Sequence, residues 1–140
     1  MKARALRHLA RREHSRDELA RKLAPYAESN EVLEGLLREL ESRKQLSNER
    51  FAELRAHQLA RKYGAARIRH DLKSKGIADE LSGPAVAELN ELEKAKQILA
   101  RKYRQAATTR EERAKRARFL QSRGFSYQTI YQAVRIDADE

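Results

Sequence analysis

The chain has 140 residues, and its 31 lysines and arginines against 21 aspartates and glutamates give a net charge of +10. It contains no cysteine, which excludes disulfides, thiolate metal sites and thiol nucleophiles. It has no apolar run long enough to span a membrane and begins without the apolar stretch of a signal peptide, so we expect a soluble cytoplasmic protein.

Alanine, leucine, glutamate, lysine and arginine dominate almost every window and predict helices along the whole chain. A first amphipathic helix ends near Glu13. Ser15 and Glu18 have the spacing of a capping box, which predicts the start of a second helix that Pro25 helps to end. Ser29 is expected to cap a leucine-rich third helix.

The middle of the chain predicts three more helices. Ser47 is expected to cap the fourth, and Gly64 is expected to end it in the left-handed conformation. The fifth helix is predicted to close at Gly76 in the same way. Within the sixth, residues 82–84 read Ser-Gly-Pro, and we expect a kink or a shortened element there because proline lacks an amide hydrogen.

The last third of the chain predicts helices seven to nine. The seventh starts near Glu91, and Thr109 with Glu112 predicts a second capping box at the start of the eighth. Gly124 is expected to close the eighth helix with a positive φ, and Ser126 to cap the ninth. Nine helices and no strand indicate an all-α fold.

Two motifs recur in the same order. The first is Leu9-Ala-Arg-Arg, Leu59-Ala-Arg-Lys and Leu99-Ala-Arg-Lys, and the second is Leu72-Lys-Ser-Lys-Gly-Ile77 and Leu120-Gln-Ser-Arg-Gly-Phe125. Chance recurrence in an Ala/Leu/Arg-rich chain is the alternative, but two motifs in register argue against it. We therefore predict three tandem three-helix repeats, at residues 1–47, 48–90 and 91–140, stacked into an elongated, curved array.

The residues that catalysis needs are poorly represented. The few glycines are scattered and form no phosphate-binding loop. Only His14, after Glu13, and His70, before Asp71, have an adjacent acidic residue, and adjacent residues on a helix point about 100° apart. We expect no catalytic site, no metal ion and no cofactor, so the sequence predicts a protein that is not an enzyme.

Basic charge is concentrated in the third repeat. Residues 94–123 carry eleven basic and two acidic residues. A solvated charged face would explain such a run, but the helical phase also turns many cations away from the core, with Ala114 and Ala117 placed inward. The outward cations are candidates for binding phosphates or acidic protein groups: Arg4, Arg7, Arg11, Arg67, Lys73, Lys94, Arg101, Arg104, Lys115 and Arg118.

Three further residues in the repeats have alternative interpretations. Arg116 occupies the place of Ile68 in the repeat alignment and is expected to snorkel from the edge of the core. Tyr63 and Tyr103 follow the Leu-Ala-Arg-Lys motif, and they are interpreted as packing residues, with base-stacking platforms as the alternative.

These segments resemble the RecX family of bacterial regulators. The similarity lies in Gln45-Leu-Ser-Asn-Glu-Arg-Phe-Ala-Glu53, in Tyr63-Gly-Ala-Ala-Arg-Ile-Arg-His-Asp-Leu-Lys-Ser-Lys-Gly-Ile77, and in Phe119-Leu-Gln-Ser-Arg-Gly-Phe-Ser-Tyr-Gln-Thr-Ile130. It covers roughly residues 3–134. Two departures are Ser47-Asn48 in place of the usual acidic pair, expected to be neutral at a cap, and the Ser-Gly-Pro at 82–84.

The resemblance implies a modulator of the RecA recombinase that lies in the groove of the RecA filament on single-stranded DNA. It implies inhibition of recombinase, ATPase and coprotease activities in DNA repair and the SOS response. We expect a monomer whose main partner is RecA, with weak direct binding to DNA. The alternative is a sequence-independent nucleic-acid-binding helical protein that acts through its basic surface.

Overall fold

The computed structural model describes residues 1–139, with side chains as far as residue 135. This part of the chain is all-α, as predicted, and residue 140, the end of the predicted third repeat, lies outside it. The helices are α1 (Lys2–Arg11), α2 (Arg16–Leu23), α3 (Asn30–Ser42), α4 (Asn48–Leu59), α5 (Ala65–Ser74), α6 (Asp79–Ala87), α7 (Glu91–Lys102), α8 (Arg110–Ser122) and α9 (Tyr127–Asp139), with a 3-10 turn at Ala24–Tyr26. No helix within residues 1–139 is both long and apolar enough to cross a membrane.

Polar side chains start most of the helices. The predicted caps at Ser29 and Ser47 are confirmed, since each hydroxyl accepts a hydrogen bond from the amide three residues later. Ser126 caps α9 in the same way, at 3.3 Å from the amide of Thr129. At α8, the hydroxyl of Thr109 caps the helix as expected, but the Glu112 carboxylate accepts from the amide of Thr108 instead of Thr109.

Two of the three predicted left-handed glycines are confirmed. Gly76 has a φ of 81° and Gly124 a φ of 88°, each following the C-cap residue of α5 or α8. The prediction for Gly64 is wrong, because α4 already ends at Leu59 and Gly64 is the N-cap of α5, with an extended backbone at φ −87° and ψ 177°.

The expected kink at residues 82–84 does not end the sixth helix. The α6 helix continues through Pro84, although it is short at nine residues. Gly83 precedes the proline and has no Cβ for the pyrrolidine ring to clash with. Glu80, four residues earlier, is exposed, so its carbonyl, which loses its amide partner at Pro84, can bind water.

Three separate hydrophobic clusters form the core, one for each group of three helices. Leu19, Leu37 and Leu40 lie at the centre of the first, Ile68 and Leu72 in the second. The third contains Ile98, Leu99 and Leu120. The accessible surface is 9237 Å², against about 7,500 Å² for a compact monomer of this mass. The excess area is what separate cores in a row would produce.

Successive helix groups contact each other through equivalent positions. At the first junction, a Cβ on Gly76 would lie 2.1 Å from the carboxylate of Asp17, near the start of α2. At the second junction, a Cβ on Gly124 would lie 2.6 Å from the Cβ of Arg67, near the start of α5. Asn48 adds a bond to the first junction, because its side-chain oxygen accepts from the amide of Arg16 at 2.8 Å. The sequence analysis expected Ser47-Asn48 to be a neutral change at a cap. Instead, Asn48 joins two groups of helices.

Candidate functional site

The ten candidate cations form no ion pair with the carboxylates that the structure describes. They lie in separate places. On α1, Arg7 and Arg11 are exposed, whereas Arg4 lies with its guanidinium 3.7 Å from the centre of the Tyr26 ring. Lys73 is exposed on α5. These positions do not converge on one surface pocket.

Arg67 and Lys94 lie at the second junction. The guanidinium of Arg67 is 4.5 Å from the centre of the Tyr63 ring, and it donates to the carbonyl of Ser122 at 3.4 Å. Lys94 is half-buried and lines a narrow crevice, which differs from the outward position that the sequence predicts. Both cations therefore contribute to the contact between helix groups.

A basic groove runs along the second junction. Its cations are Arg61 and Lys62 after α4, Arg101 and Lys102 at the end of α7, and Arg123 after α8. The groove has a volume of about 730 Å³, and its described lining contains no carboxylate. Arg101 donates a hydrogen bond to the main-chain carbonyl of Arg61, which joins the two copies of the Arg-Lys pair.

Aromatic rings form the floor of this basic groove. The Arg123 guanidinium lies 5.6 Å from the centre of the Tyr63 ring and 5.1 Å from that of Phe119. The ammonium of Lys102 lies 4.3 Å from the centre of the Phe119 ring. The rings hold the cations in place by cation–π attraction and leave their hydrogen-bond donors for an anion.

A second depression continues the basic surface along the third repeat. It has a volume of about 490 Å³ and shares Lys102 with the basic groove, and it brings the candidates Arg104 and Lys115 together. Arg118 is exposed on α8 but lines neither depression. Of the ten candidates, the structure places Arg101, Arg104 and Lys115 on this continuous surface.

Arg116 supports the floor of the second depression. It is only 6% exposed, so it does not snorkel outward as the sequence indicates. Its guanidinium donates to the carbonyl of Gln105 at 2.7 Å and lies 4.3 Å from the centre of the Tyr103 ring. Tyr103 and Tyr63 pack against the cores, which confirms the packing interpretation. Ala114, placed inward by the sequence, is exposed because α8 turns Arg116 and Leu120 to the core.

The equivalent groove at the first junction contains charges of both signs. It is smaller, about 250 Å³, and combines the cations Arg12, Arg55 and Lys75 with Glu13 and Glu18. The carboxylate of Glu13 pairs with Arg50 at 2.8 Å, and that of Glu18 with Arg12 at 3.1 Å. Burial raises the pKa of Glu18, but the hydrogen bonds from Arg12 and from the Ser15 amide outweigh it and lower the pKa. A carboxylate at this groove is therefore ionised at neutral pH.

The sequence analysis missed four cations of the basic groove: Arg61, Lys62, Lys102 and Arg123. The signal that could have identified them is the repeated motif itself. Tyr63 and Tyr103 each follow an Arg-Lys pair, and the first copy has Glu13 instead of tyrosine. That difference separates the junction of mixed charge from the basic one. The phase of single helices could not show it, because the groove forms between helices.

The composition of this surface suits an anionic ligand. Several arginines and lysines held within one groove suit the oxygens of phosphates or of carboxylates. The described residues include no cluster of three or more metal-ligating side chains.

Comparison with known proteins assigns the chain to a family. A model of the second three-helix domain of RecX matches residues 47–82, and a model of the third three-helix domain of RecX matches residues 90–134. The regulatory protein RecX of Herbaspirillum seropedicae is 46% identical over all of this chain and 94% of its own length. The chain belongs to the RecX family. The regulatory protein RecX of Ralstonia nicotianae is 47% identical over 90% of this chain and 80% of its own length.

Solved structures agree with the RecX fold. The crystal structure of RecX from Lactobacillus salivarius superposes with a TM-score of 0.84 and covers 99% of this chain and 94% of that one, at 20% identity. A second crystal structure of a regulatory protein RecX gives a TM-score of 0.78. These structures show the fold, and the family models with the sequence relatives confirm the resemblance to the RecX family.

Proposed function

We propose that this RecX-family protein is a negative regulator of RecA. It binds the filament that RecA forms on single-stranded DNA and inhibits its recombinase, ATPase and coprotease activities during DNA repair and the SOS response. The protein acts in the cytoplasm as a monomer and has no catalytic activity of its own. RecA is its main partner, and weak direct contact with DNA supports the binding.

The observation that carries this proposal is membership of the RecX family over the full length of the chain. The basic groove supports it physically. A nucleoprotein filament presents phosphates along a helical path, and a protein built from helix groups in a row with one basic junction suits such a partner. Regulation by occupying a groove needs shape and charge, not catalytic groups.

The competing function is a nucleic-acid-binding protein that needs no RecA. Bare charge gives an affinity that falls steeply with salt, because each neutralised phosphate releases counterions. Docking to a protein filament adds apolar and shape-dependent contacts, which salt screens much less. The two functions therefore differ in both partner and salt dependence.

The test is a set of titrations of the protein against single-stranded DNA, against RecA and against the assembled filament, each at two salt concentrations. We expect the filament to be bound most tightly and to remain bound at the higher salt, with ATP hydrolysis by RecA falling as binding saturates. Equal affinity for naked DNA and for the filament, lost in parallel as salt rises, would refute regulation through RecA.

A variant with Arg101, Arg104, Lys115 and Arg118 all changed to glutamate tests the part of the basic surface on the third repeat. The four side chains are exposed, so helicity should be retained. We expect weaker filament binding and a matching loss of ATPase inhibition. Inhibition equal to that of the parent protein would show that these cations only solvate the surface. Loss of DNA binding alone would move the docking surface to the first two repeats.

A further inference from the structure

A second groove lies on the third repeat and shares no lining residue with the basic groove. It runs between α8 and α9 and has a volume of about 760 Å³. The small side chains of Ala114 and Ala117 on α8 leave it open, and the larger side chains of Ile130 and Val134 on α9 form its inner wall. Ile130 and Val134 are each 8% exposed and belong to the third core.

Two tyrosine rings project from the outer edge of this groove. Tyr127 is 83% exposed and Tyr131 is 55% exposed, which makes them the most exposed of the large apolar side chains that the structure describes. They are one helical turn apart, a spacing that places their Cβ atoms about 5–6 Å from each other. The two rings continue the stripe of Ile130 and Val134 but are not covered by the core.

The described charged residues that line this groove are all arginines. Arg110 and Arg113 from α8 and Arg135 from α9 line the groove, and its described lining contains no carboxylate. Arg135 donates to the hydroxyl of Tyr131 at 3.4 Å, and its guanidinium lies 5.9 Å from the centre of that ring. Proteins that bind single-stranded nucleic acids combine exposed rings with nearby arginines: bases stack on the rings, and phosphates contact the cations.

We propose that this aromatic groove binds single-stranded nucleic acid by stacking bases on Tyr127 and Tyr131, while Arg110 and Arg113 contact the phosphates. This inference rests on the proposed function, because that function brings the protein to single-stranded DNA. It assigns the direct contact with DNA to a defined groove. Stacking is tolerant of sequence because every base has a π-face. A duplex keeps its bases stacked inside and cannot use the rings, so the site selects single strands.

The test replaces both rings by Tyr127→Leu and Tyr131→Leu and measures binding without RecA to a twelve-nucleotide oligothymidine. An abasic strand of the same length is the charge-matched ligand. The parent protein should prefer the base-bearing strand, and the double variant should bind it about tenfold or more weakly. Binding of the abasic strand should not change. Tyr26→Leu is the control, since Tyr26 is 54% exposed but lies in the first repeat.

A fluorescent variant gives a second readout that does not depend on the double substitution. The chain has no tryptophan, so Tyr131→Trp introduces a single indole. Stacking should quench its emission when oligothymidine saturates the protein, whereas the abasic strand should not.

Unquenched emission would overturn the proposal, and so would a double variant that binds oligothymidine as well as the parent does. Either result would favour an acidic segment of a protein partner as the ligand of the groove. Neither measurement contains RecA. Inhibition of RecA is measured separately, so failure of the base-stacking inference is distinguishable from failure of the proposed regulation.

Discussion

Gly64 allows two groups of helices to approach each other closely. Its amide donates to the carbonyl of Arg123 at 2.8 Å, and the amide of Ala66 donates to the carbonyl of Gly124 at 3.2 Å. A Cβ on Gly64 would lie 2.5 Å from the main-chain nitrogen and Cα of Phe125. The missing side chain is therefore what lets the main chains pair at the junction that bears the basic groove.

We expect Gly64→Ala to destabilise the protein by about 1–3 kcal/mol, because the methyl group would collide with main-chain atoms that cannot move independently. Chemical denaturation measures the change. Gly35→Ala is the matched control. Gly35 lies inside α3 with no atom within 4 Å of an added Cβ, and alanine there should stabilise the helix by about 0.5–1 kcal/mol. Equal stability of Gly64→Ala and the parent would contradict the close approach.

His14 is a buried side chain held as the neutral imidazole. Its Nδ1 donates to the carbonyl of Arg12 at 3.0 Å, and its Nε2 accepts from the ammonium of Lys22 at 2.9 Å. Burial is the largest cause that lowers the pKa of His14, and the positive charges of Arg12 and Lys22 lower it further. The hydrogen bond to the carbonyl raises the pKa but does not offset these effects. A proton on Nε2 would face the ammonium of Lys22.

Acidification from pH 7 to about 5.5 should therefore reduce the free energy of unfolding. Below about pH 6.5 the unfolded chain takes up a proton that the folded protein excludes, so stability falls with pH until the folded pKa is passed. Urea titrations at several pH values measure this slope, and His14→Gln should make it shallower. The pKa of His8 is also lowered, mainly by burial, so His8→Gln is the companion variant. A slope that His14→Gln leaves unchanged would contradict the assignment.

At the scale of whole helices, α2 depends on a complete capping box. The hydroxyl of Ser15 accepts from the amide of Glu18, and the Glu18 carboxylate accepts from the amide of Ser15, both at 3.1 Å. Ser15 is fully buried, so water cannot replace the lost bond. Since α2 has only eight residues, one turn is a large share of the helix.

We expect Ser15→Ala to destabilise the protein by about 1–2 kcal/mol, measured by thermal denaturation. Ser74→Ala is the control. The hydroxyl of Ser74 is exposed and donates only to the carbonyl of Asp71 within the same helix. A shift no larger than that of the control would mean that the cap contributes little to α2.

At the scale of the whole molecule, the described residues form more ion pairs in the first repeat than in the third. Arg16 pairs with both Glu34 and Glu41, and Glu39 pairs with Lys2 at 2.8 Å. Residues 1–47 carry a net charge of +3, and residues 91–140 a net charge of +5. Half of the net charge of +10 therefore lies in the third repeat, which contributes Arg101, Lys102 and Arg123 to the basic groove.

Reversal of two groove cations, Arg61→Glu with Lys102→Glu, should weaken filament binding about tenfold or more. Arg21→Glu with Arg38→Glu is the matched control, because it changes the net charge equally at exposed positions of the first repeat. Filament binding and ATPase inhibition are the measurements. Equal loss in both variants would show that overall charge, not the groove, determines binding.

Much of the fold follows from local chemistry that a sequence displays. Apolar residues at helical spacing, serine caps and the glycines after α5 and α8 depend on neighbours only a few positions away. The repeated motifs and their order also indicated the RecX family. The excess of basic residues in the third repeat is also visible in the sequence, and it predicts an anionic partner.

Tertiary structure alone decided which of those charges act together. The basic groove combines residues from three helix ends that are far apart in the chain, such as Arg61 and Arg101, and their proximity depends on how helix groups stack. The same is true of Gly64, whose role depends on a main chain about sixty residues away. Helical phase separates core from solvent but cannot tell whether a solvent-facing residue lies alone, over a ring or in a groove, because that depends on what packs beside it.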